Sequence, residues 1–323
     1  MHALLLVSSF MLVVLSGCVA LAVLRRSEDW PHRRQVQLAV LAAPIMVLGV
    51  GLGGLHHFPG STCFLRTPSW DYVAGLALPV GMAAVALAGL GLGFVRIAVT
   101  HLTANYRGRH AQPDVQWIAE SLSRIFGTPT PRVLIVATRR PLALTVGVRQ
   151  PAVLLSDWML THLDPRELES VLAHELGHVA RRDVLVTWLA TVLRDAFFYL
   201  PTSRAAFHRF RFEREVACDG LAAKATGRPL ALASALAKVW HQDLRGPAVG
   251  SAEALAASDD MIEQRIHRLM AGSAPQMSAG RRRVSVLGPG LQSLLGVGTL
   301  LAANAVVMLT PMGCGPASAM WKL

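Results

Sequence analysis

The sequence predicts a membrane α-helical protein in which four helices cross the bilayer and a cytoplasmic α+β domain lies between the third and the fourth. Three observations predict it. Of the 323 residues, 53% are hydrophobic and only 16% are charged, against about 25% charge in an average soluble domain. Mean hydropathy is +0.43, which argues against both a freely soluble protein and a disordered chain. Four uncharged apolar stretches approach or exceed the roughly 20 residues needed to span a bilayer, and the formal charge of +11 is unevenly divided among the segments between them.

The stretches run from Leu4 to Leu24, Leu38 to Leu55, Tyr72 to Val95 and Leu287 to Leu309. Trp30, Trp70, Tyr72 and Trp321 lie at or beside their ends, where amphipathic rings prefer the interface. A cleavable leader would need basic residues before the first run, but Arg25 and Arg26 follow it, so a retained span is expected. Three spans then occupy residues 1–99, a cytoplasmic domain 100–286, the fourth span 287–309, and a short extracytoplasmic tail 310–323.

Charge sets the orientation. All 31 basic residues except Arg66 and Lys322 fall in segments 25–37 and 96–286, and the positive-inside rule makes those segments cytoplasmic. Both termini are then extracytoplasmic. Nucleic acid is the competing reason for so basic a chain. The basic residues are spread along the domain and gathered at span boundaries, with no basic recognition helix, so direct nucleic-acid binding is not expected. The lipid bilayer is the expected partner. Cys63 and Cys314 both fall on the outer side, where a disulfide between them can persist; Cys18 and Cys218 do not.

Within the domain, residues 96–113 read as a polar continuation of the third span, and Val115 to Ile125 as a helix. The runs 132–138, 144–148 and 152–156 are short, β-branched or apolar, and separated by Pro and Gly, so three strands are expected. Asp164-Pro165-Arg166-Glu167 opens the best-marked helix: Asp164 suits the cap, Pro165 the first helical position, and Glu167 a capping box. Arg181 and Arg182 suit its C-terminus.

That helix carries His174-Glu175-Leu176-Gly177-His178. Residues four apart share a helical face, so both imidazoles can reach one metal ion. Glu175 stands about 100° around the helix, beside the open coordination position of a catalytic zinc with a Glu general base. The bland alternative is a surface His pair with an incidental Glu.

A third ligand is needed. Glu215 and Asp219 stand four apart on a second expected helix ending near Gly227 and Pro229, so one can bind metal while the other hydrogen-bonds a ligand His. A solvated acidic face is the alternative, but the small or apolar flanks Ala217, Cys218, Leu221 and Ala222 favour burial, and buried acids normally have partners. Residues 184–200 are apolar except Arg194 and Asp195. A fifth span there would separate the two halves of the site across the membrane, so a core helix is expected.

At these residues the chain resembles the membrane zinc metallopeptidases of the BlaR/MecR antirepressor type. The matching stretches are 153–156, 167–183 and 214–219, and 141–147 is similar to the family's strand pair at the edge of the substrate cleft. The resemblance implies a gluzincin-like zinc metallopeptidase domain with one Zn2+ per chain. His174, His178 and Glu215 are then the metal ligands, Glu175 the catalytic base, and Asp219 the partner of a ligand imidazole, His174 being the expected one. It also implies a cytoplasmic protein substrate, a DNA-binding repressor being the family's example, cleaved in signal transduction. No Ser-x-x-Lys follows the fourth span, so the chain resembles members without a penicillin-binding sensor domain. The related HtpX-type and CAAX-processing proteases carry a His upstream of an Arg; here Asp259 occupies that position before Arg265, which is a candidate for transition-state assistance or an ordinary helix-surface Arg. Two competing functions are an HtpX-like quality-control protease and a non-catalytic receptor with a protease-like fold.

Overall fold

The computed structural model describes residues 2–26, 30–53, 69–147, 150–245, 252–272 and 289–309. Cys63, Cys314, Trp321 and the Arg281–Arg283 run lie outside them. The chain divides into two compact units, 1–94 with 190–210 and 282–323, and 95–189 with 211–281.

The first unit is helical: α1 (His2–Arg26), α2 (Trp30–Gly53), most of α3 (Ser69–Arg107), and the last helix. Within α1 and α3, Leu6–Leu24 and Ala77–Val95 are long and apolar enough to cross a membrane. Val7, Met11, Leu15, Val19 and Val23 recur every fourth residue along one face of α1, each more than half exposed. A contiguous apolar face of that kind marks an interaction with lipid or another apolar surface. Inside the unit, Val13, Ala43, Val47 and Leu301 form a buried cluster. Arg33 Nη2 donates to Leu24 O over 2.7 Å, satisfying a carbonyl that the end of α1 leaves without a helical partner. A Cβ at Gly89 would sit 2.4 Å from the backbone oxygen of Asp195, so only glycine permits that approach.

The second unit opens with β1 (Gly108–His110), followed by α4 (Pro113–Phe126), β2 (Arg132–Val136), β3 (Ala143–Val146), β4 (Ala152–Ser156) and α5 (Asp157–His162). Helices α6 (Pro165–Ala180), α7 (Asp183–Ala196), α8 (Pro201–Thr226), α9 (Pro229–Arg245) and α10 (Ala252–Met270) come next, and α11 (Pro289–Leu309) returns to the first unit. The unit boundary falls within α7 and α8.

The three expected strands are present, with β3 described to Val146. Residues 96–113 are more than a polar continuation: α3 runs to Arg107 and the chain then forms β1. Gly-Arg-His lacks the β-branched residues that announce a strand, and its pairing with Leu134–Val136 is what holds it extended. The sheet order is β1-β2-β4-β3, with β2 and β4 parallel and the outer pairs antiparallel. β3 is therefore an edge. Gly147 ends it at φ +87°, where a Cβ would meet Gln150 O at 2.3 Å, a conformation open only to glycine.

Val133, Ile135, Val153 and Leu155 on the sheet pack with Leu168, Leu172 and Leu176 of α6 in one core. Leu172 has no exposed surface. Replacing it by Ala should cost about 2–5 kcal/mol of stability, whereas Ala at the exposed Trp117 should change stability by less than about 0.5 kcal/mol. Denaturation of the detergent-solubilised protein followed by circular dichroism checks both.

Candidate metal centre

The phase of α6 is set at its start. The Asp164 carboxylate accepts from the amides of Arg166 and Glu167, and the Glu167 carboxylate accepts from the Asp164 N–H, the expected capping box. Helical spacing then puts His174 and His178 on one face, their rings edge to face with centroids 5.0 Å apart. From α8, Glu215 approaches both: Oε2 lies 3.2 Å from His174 Nε2 and Oε1 3.8 Å from His178 Nε2. Ligand atoms of these three residues lie within 4.8 Å of one another. Two imidazoles and one carboxylate form a donor set that zinc takes in catalytic sites, so the residues present fit a zinc ion.

Each imidazole turns its other nitrogen toward a separate acid. His174 Nδ1 is 2.9 Å from Asp219 Oδ1, at an angle outside hydrogen-bond geometry. His178 Nδ1 is 3.2 Å from Asp183 Oδ2 and 3.2 Å from Cys218 Sγ. Such partners fix ring orientation and raise ligand basicity. Arg265 grips Asp219 bidentately, Nε to Oδ2 at 2.7 Å and Nη2 to Oδ1 at 2.8 Å, and its Nη1 lies 3.3 Å from Glu215 Oε2. It is 9% exposed, so it is not an ordinary helix-surface Arg. Arg214 binds Glu215 Oε1 through Nε at 3.1 Å and Nη2 at 2.5 Å.

The charges balance. Burial works against the ionised form of Glu215, but the hydrogen bond from His174 and the cations Arg265 and Arg214 hold it well below the usual carboxylate range. Burial likewise opposes Asp219, and Arg265 lowers it. Desolvation disfavours a charged His174, yet Asp219 and Glu215 push it up to about 9. Burial, with Asp183 beside it, raises the Cys218 thiol well above its ordinary value, so Cys218 stays protonated and accompanies the site as a small neutral group.

Glu175 is 6% exposed. Its Oε2 accepts a hydrogen bond from Thr145 Oγ1 of β3 at 2.7 Å. A cavity of about 240 Å³ is lined in part by Glu175, and one of about 330 Å³ in part by Thr145. The smaller is lined by Ala143, Val171, His174, Glu175, Leu232 and Arg265 among others, the larger by Thr145, Gly147, His178, Arg182 and Leu185 among others.

All six expected site residues thus lie in one region of the second unit. Thr145 and Asp183 were not foreseen. Thr145 is 30 positions from its partner, and no local pattern links them. Asp183 returns to His178 because Arg182 takes φ +53°, a left-handed turn that a side chain other than Gly seldom adopts. Only the Arg-Arg-Asp charge cluster hinted at it.

Comparison with known proteins points to the same stretch. Residues 137–267 match the family described as BlaR1 peptidase M56. The "Protease HtpX homolog 1" of Streptomyces coelicolor is 31% identical over 188 residues, covering 47% of this chain and 62% of that protein. A "Protease HtpX homolog" of Pyrococcus abyssi is 36% identical over 107 residues, 32% of this chain and 37% of its own length. Another, from Pseudarthrobacter chlorophenolicus, is 28% identical over 229 residues, 57% and 79%. The chain spans less than two thirds of the first two relatives. All these likenesses are to proteases.

Asp219→Asn should weaken zinc binding about 10- to 100-fold, read by chelator competition on the purified protein. Unchanged affinity would remove Asp219 from any part in orienting His174.

Proposed function

We propose that the chain is an integral-membrane zinc-dependent endopeptidase that hydrolyses peptide bonds in a cytoplasmic protein. The convergence of His174, His178 and Glu215 within 4.8 Å, with Glu175 in the same helical turn, carries this reading. Zinc held by these three residues would supply a Lewis acid that polarises a scissile carbonyl and acidifies a water molecule.

The chain's own groups do the rest. Glu175 accepts a proton from the attacking water and returns it to the leaving amine. Asp219 orients His174, and Arg265 keeps both Asp219 and Glu215 ionised. Transition-state assistance by Arg265 would require Nη1 to leave Glu215, so holding the two acids is the role the geometry supports better. The outer strand β3 binds the substrate backbone by strand addition, and the two cavities lined by its residues receive the substrate's side chains. A non-catalytic receptor would have no need of Glu175.

Glu175→Gln should retain zinc and lose about 10²- to 10⁴-fold in cleavage rate, measured on fluorescent casein with the metal content determined in parallel. A variant as active as wild type removes the mechanism.

Two substrate classes are compatible with the site. Likeness to BlaR1 peptidase M56 favours an antirepressor that cuts a soluble repressor in signal transduction. The relatives named Protease HtpX homolog favour a quality-control enzyme that cuts membrane chains. Comparative proteomics of wild type and the Glu175→Gln strain separates them: a stabilised DNA-binding regulator supports the first, and accumulated membrane proteins support the second.

The proposed topology places four spans at about 4–24, 38–55, 72–95 and 287–309, with the peptidase domain inside and both termini outside. Alkaline phosphatase, which needs an oxidising compartment for its disulfides, should be active when fused after residue 60 and inactive when fused after residue 107. The opposite pattern inverts the orientation.

A further inference from the structure

The carboxylate of Glu175 is buried, and among the described residues the hydroxyl of Thr145 is its sole hydrogen-bond partner, at 2.7 Å to Oε2. The same hydroxyl lies 3.1 Å from the Glu175 carbonyl oxygen. The single hydroxyl proton goes to Oε2, the nearer and charged acceptor, with the carbonyl oxygen a secondary neighbour. Thr145 is itself only 8% exposed, with a β-branched side chain that is stiff at χ1. Its backbone is fixed by the antiparallel pairing of Thr145 with Val153 of β4, a residue with no exposed surface. The carboxylate is thus tied to the sheet through a short, rigid path. With Thr145 donating to Oε2, Oε1 has no hydrogen-bond partner among the described residues and is the oxygen freer to meet a water proton. Alignment of a base to within a few tenths of an ångström decides its efficiency.

We propose that Thr145 is a positioning residue for Glu175, holding its carboxylate in the orientation that proton transfer needs. It sits on the edge strand that would receive the substrate backbone, so a peptide paired with β3 stiffens the element that aligns the base. The inference rests on the reading of Glu175 as general base.

The test uses the full-length zinc-loaded protein in detergent, with Thr145→Val, which keeps shape and removes the hydroxyl, and Thr145→Ser, which keeps the hydroxyl. Three measurements are made: zinc affinity by chelator competition, binding of acetohydroxamate by calorimetry, and cleavage of fluorescent casein. A hydroxamate on a zinc site also hydrogen-bonds the neighbouring base, so it reports the position of Glu175 without turnover. Thr145→Val should leave zinc affinity unchanged, weaken acetohydroxamate about tenfold, and lower kcat about 10- to 100-fold with KM within twofold. Thr145→Ser should restore both readouts to within a few-fold of wild type. In a Glu175→Gln background Thr145→Val should have no further effect, because the two act as one unit.

Wild-type hydroxamate affinity in Thr145→Val overturns the proposal. So does equal loss in the Val and Ser variants, or an undiminished effect of Thr145→Val in the Gln background. Should the Val variant not fold, Thr145→Cys, of similar size with only a weak donor, must show the same losses. If Glu175→Gln itself binds and cleaves like wild type, the general-base reading has failed; if it is impaired while Thr145→Val is not, only the role of Thr145 has.

Discussion

The bidentate contact between Arg265 and Asp219 is the interaction on which the candidate metal centre depends. Glu215 and Asp219 stand one turn apart on α8, and both are largely withdrawn from water. An isolated buried carboxylate costs several kcal/mol, and two adjacent ones repel. Arg265 answers both with one guanidinium, whose planar fork matches carboxylate geometry and stays charged. Glu215 and Asp219 thereby both remain ionised beside His174. Arg214 adds a second cation on the far side of Glu215. The network crosses from α8 to α10, so this arrangement of charges is assembled only when those helices are packed.

Helix α6 serves the core and the chemistry at once. It packs against α4, α9 and β3, with Leu168, Leu172 and Leu176 on the core side and His174, Glu175 and His178 on the site side. Residues 170–178 are all buried. Three polar side chains carried on one buried helix keep their mutual geometry more closely than the same groups on loops. The capping box and the left-handed turn at Arg182 fix the two ends, and the second of these also delivers Asp183 to His178.

What could be read in the sequence was local. Asp164 with Glu167, His174 with His178, and Glu215 with Asp219 are pairs three or four residues apart, and helical periodicity alone makes them meet. Strands β2, β3 and β4 carry β-branched runs and were legible too. Interactions across long separations were not: Thr145 with Glu175, and Arg265 with Asp219, 46 positions apart, meet through packing that no spacing records. Strand β1 was hidden because its pairing partner, rather than its own composition, makes it a strand. For the apolar helices, the expected stretch 38–55 runs past the described end of α2 at Gly53, and 287–309 begins before the described start of α11 at Pro289, within which the apolar run is shorter, Ser293–Ala303.

The edge position of β3 in the described sheet has a further consequence under strand addition. Unpaired strand edges are aggregation hazards, and proteins usually blunt them with prolines, charges or bulges. A working edge cannot be blocked in that way without losing its function. The described strand is four residues, Ala143–Val146, about 13 Å of pairing at 3.3 Å per residue. So short an edge is a poor template for another folded protein's sheet, yet long enough to grip an unpaired stretch of backbone. Selection would then fall on how readily a client exposes such a stretch, which makes the local unfolding equilibrium of the client part of the recognition.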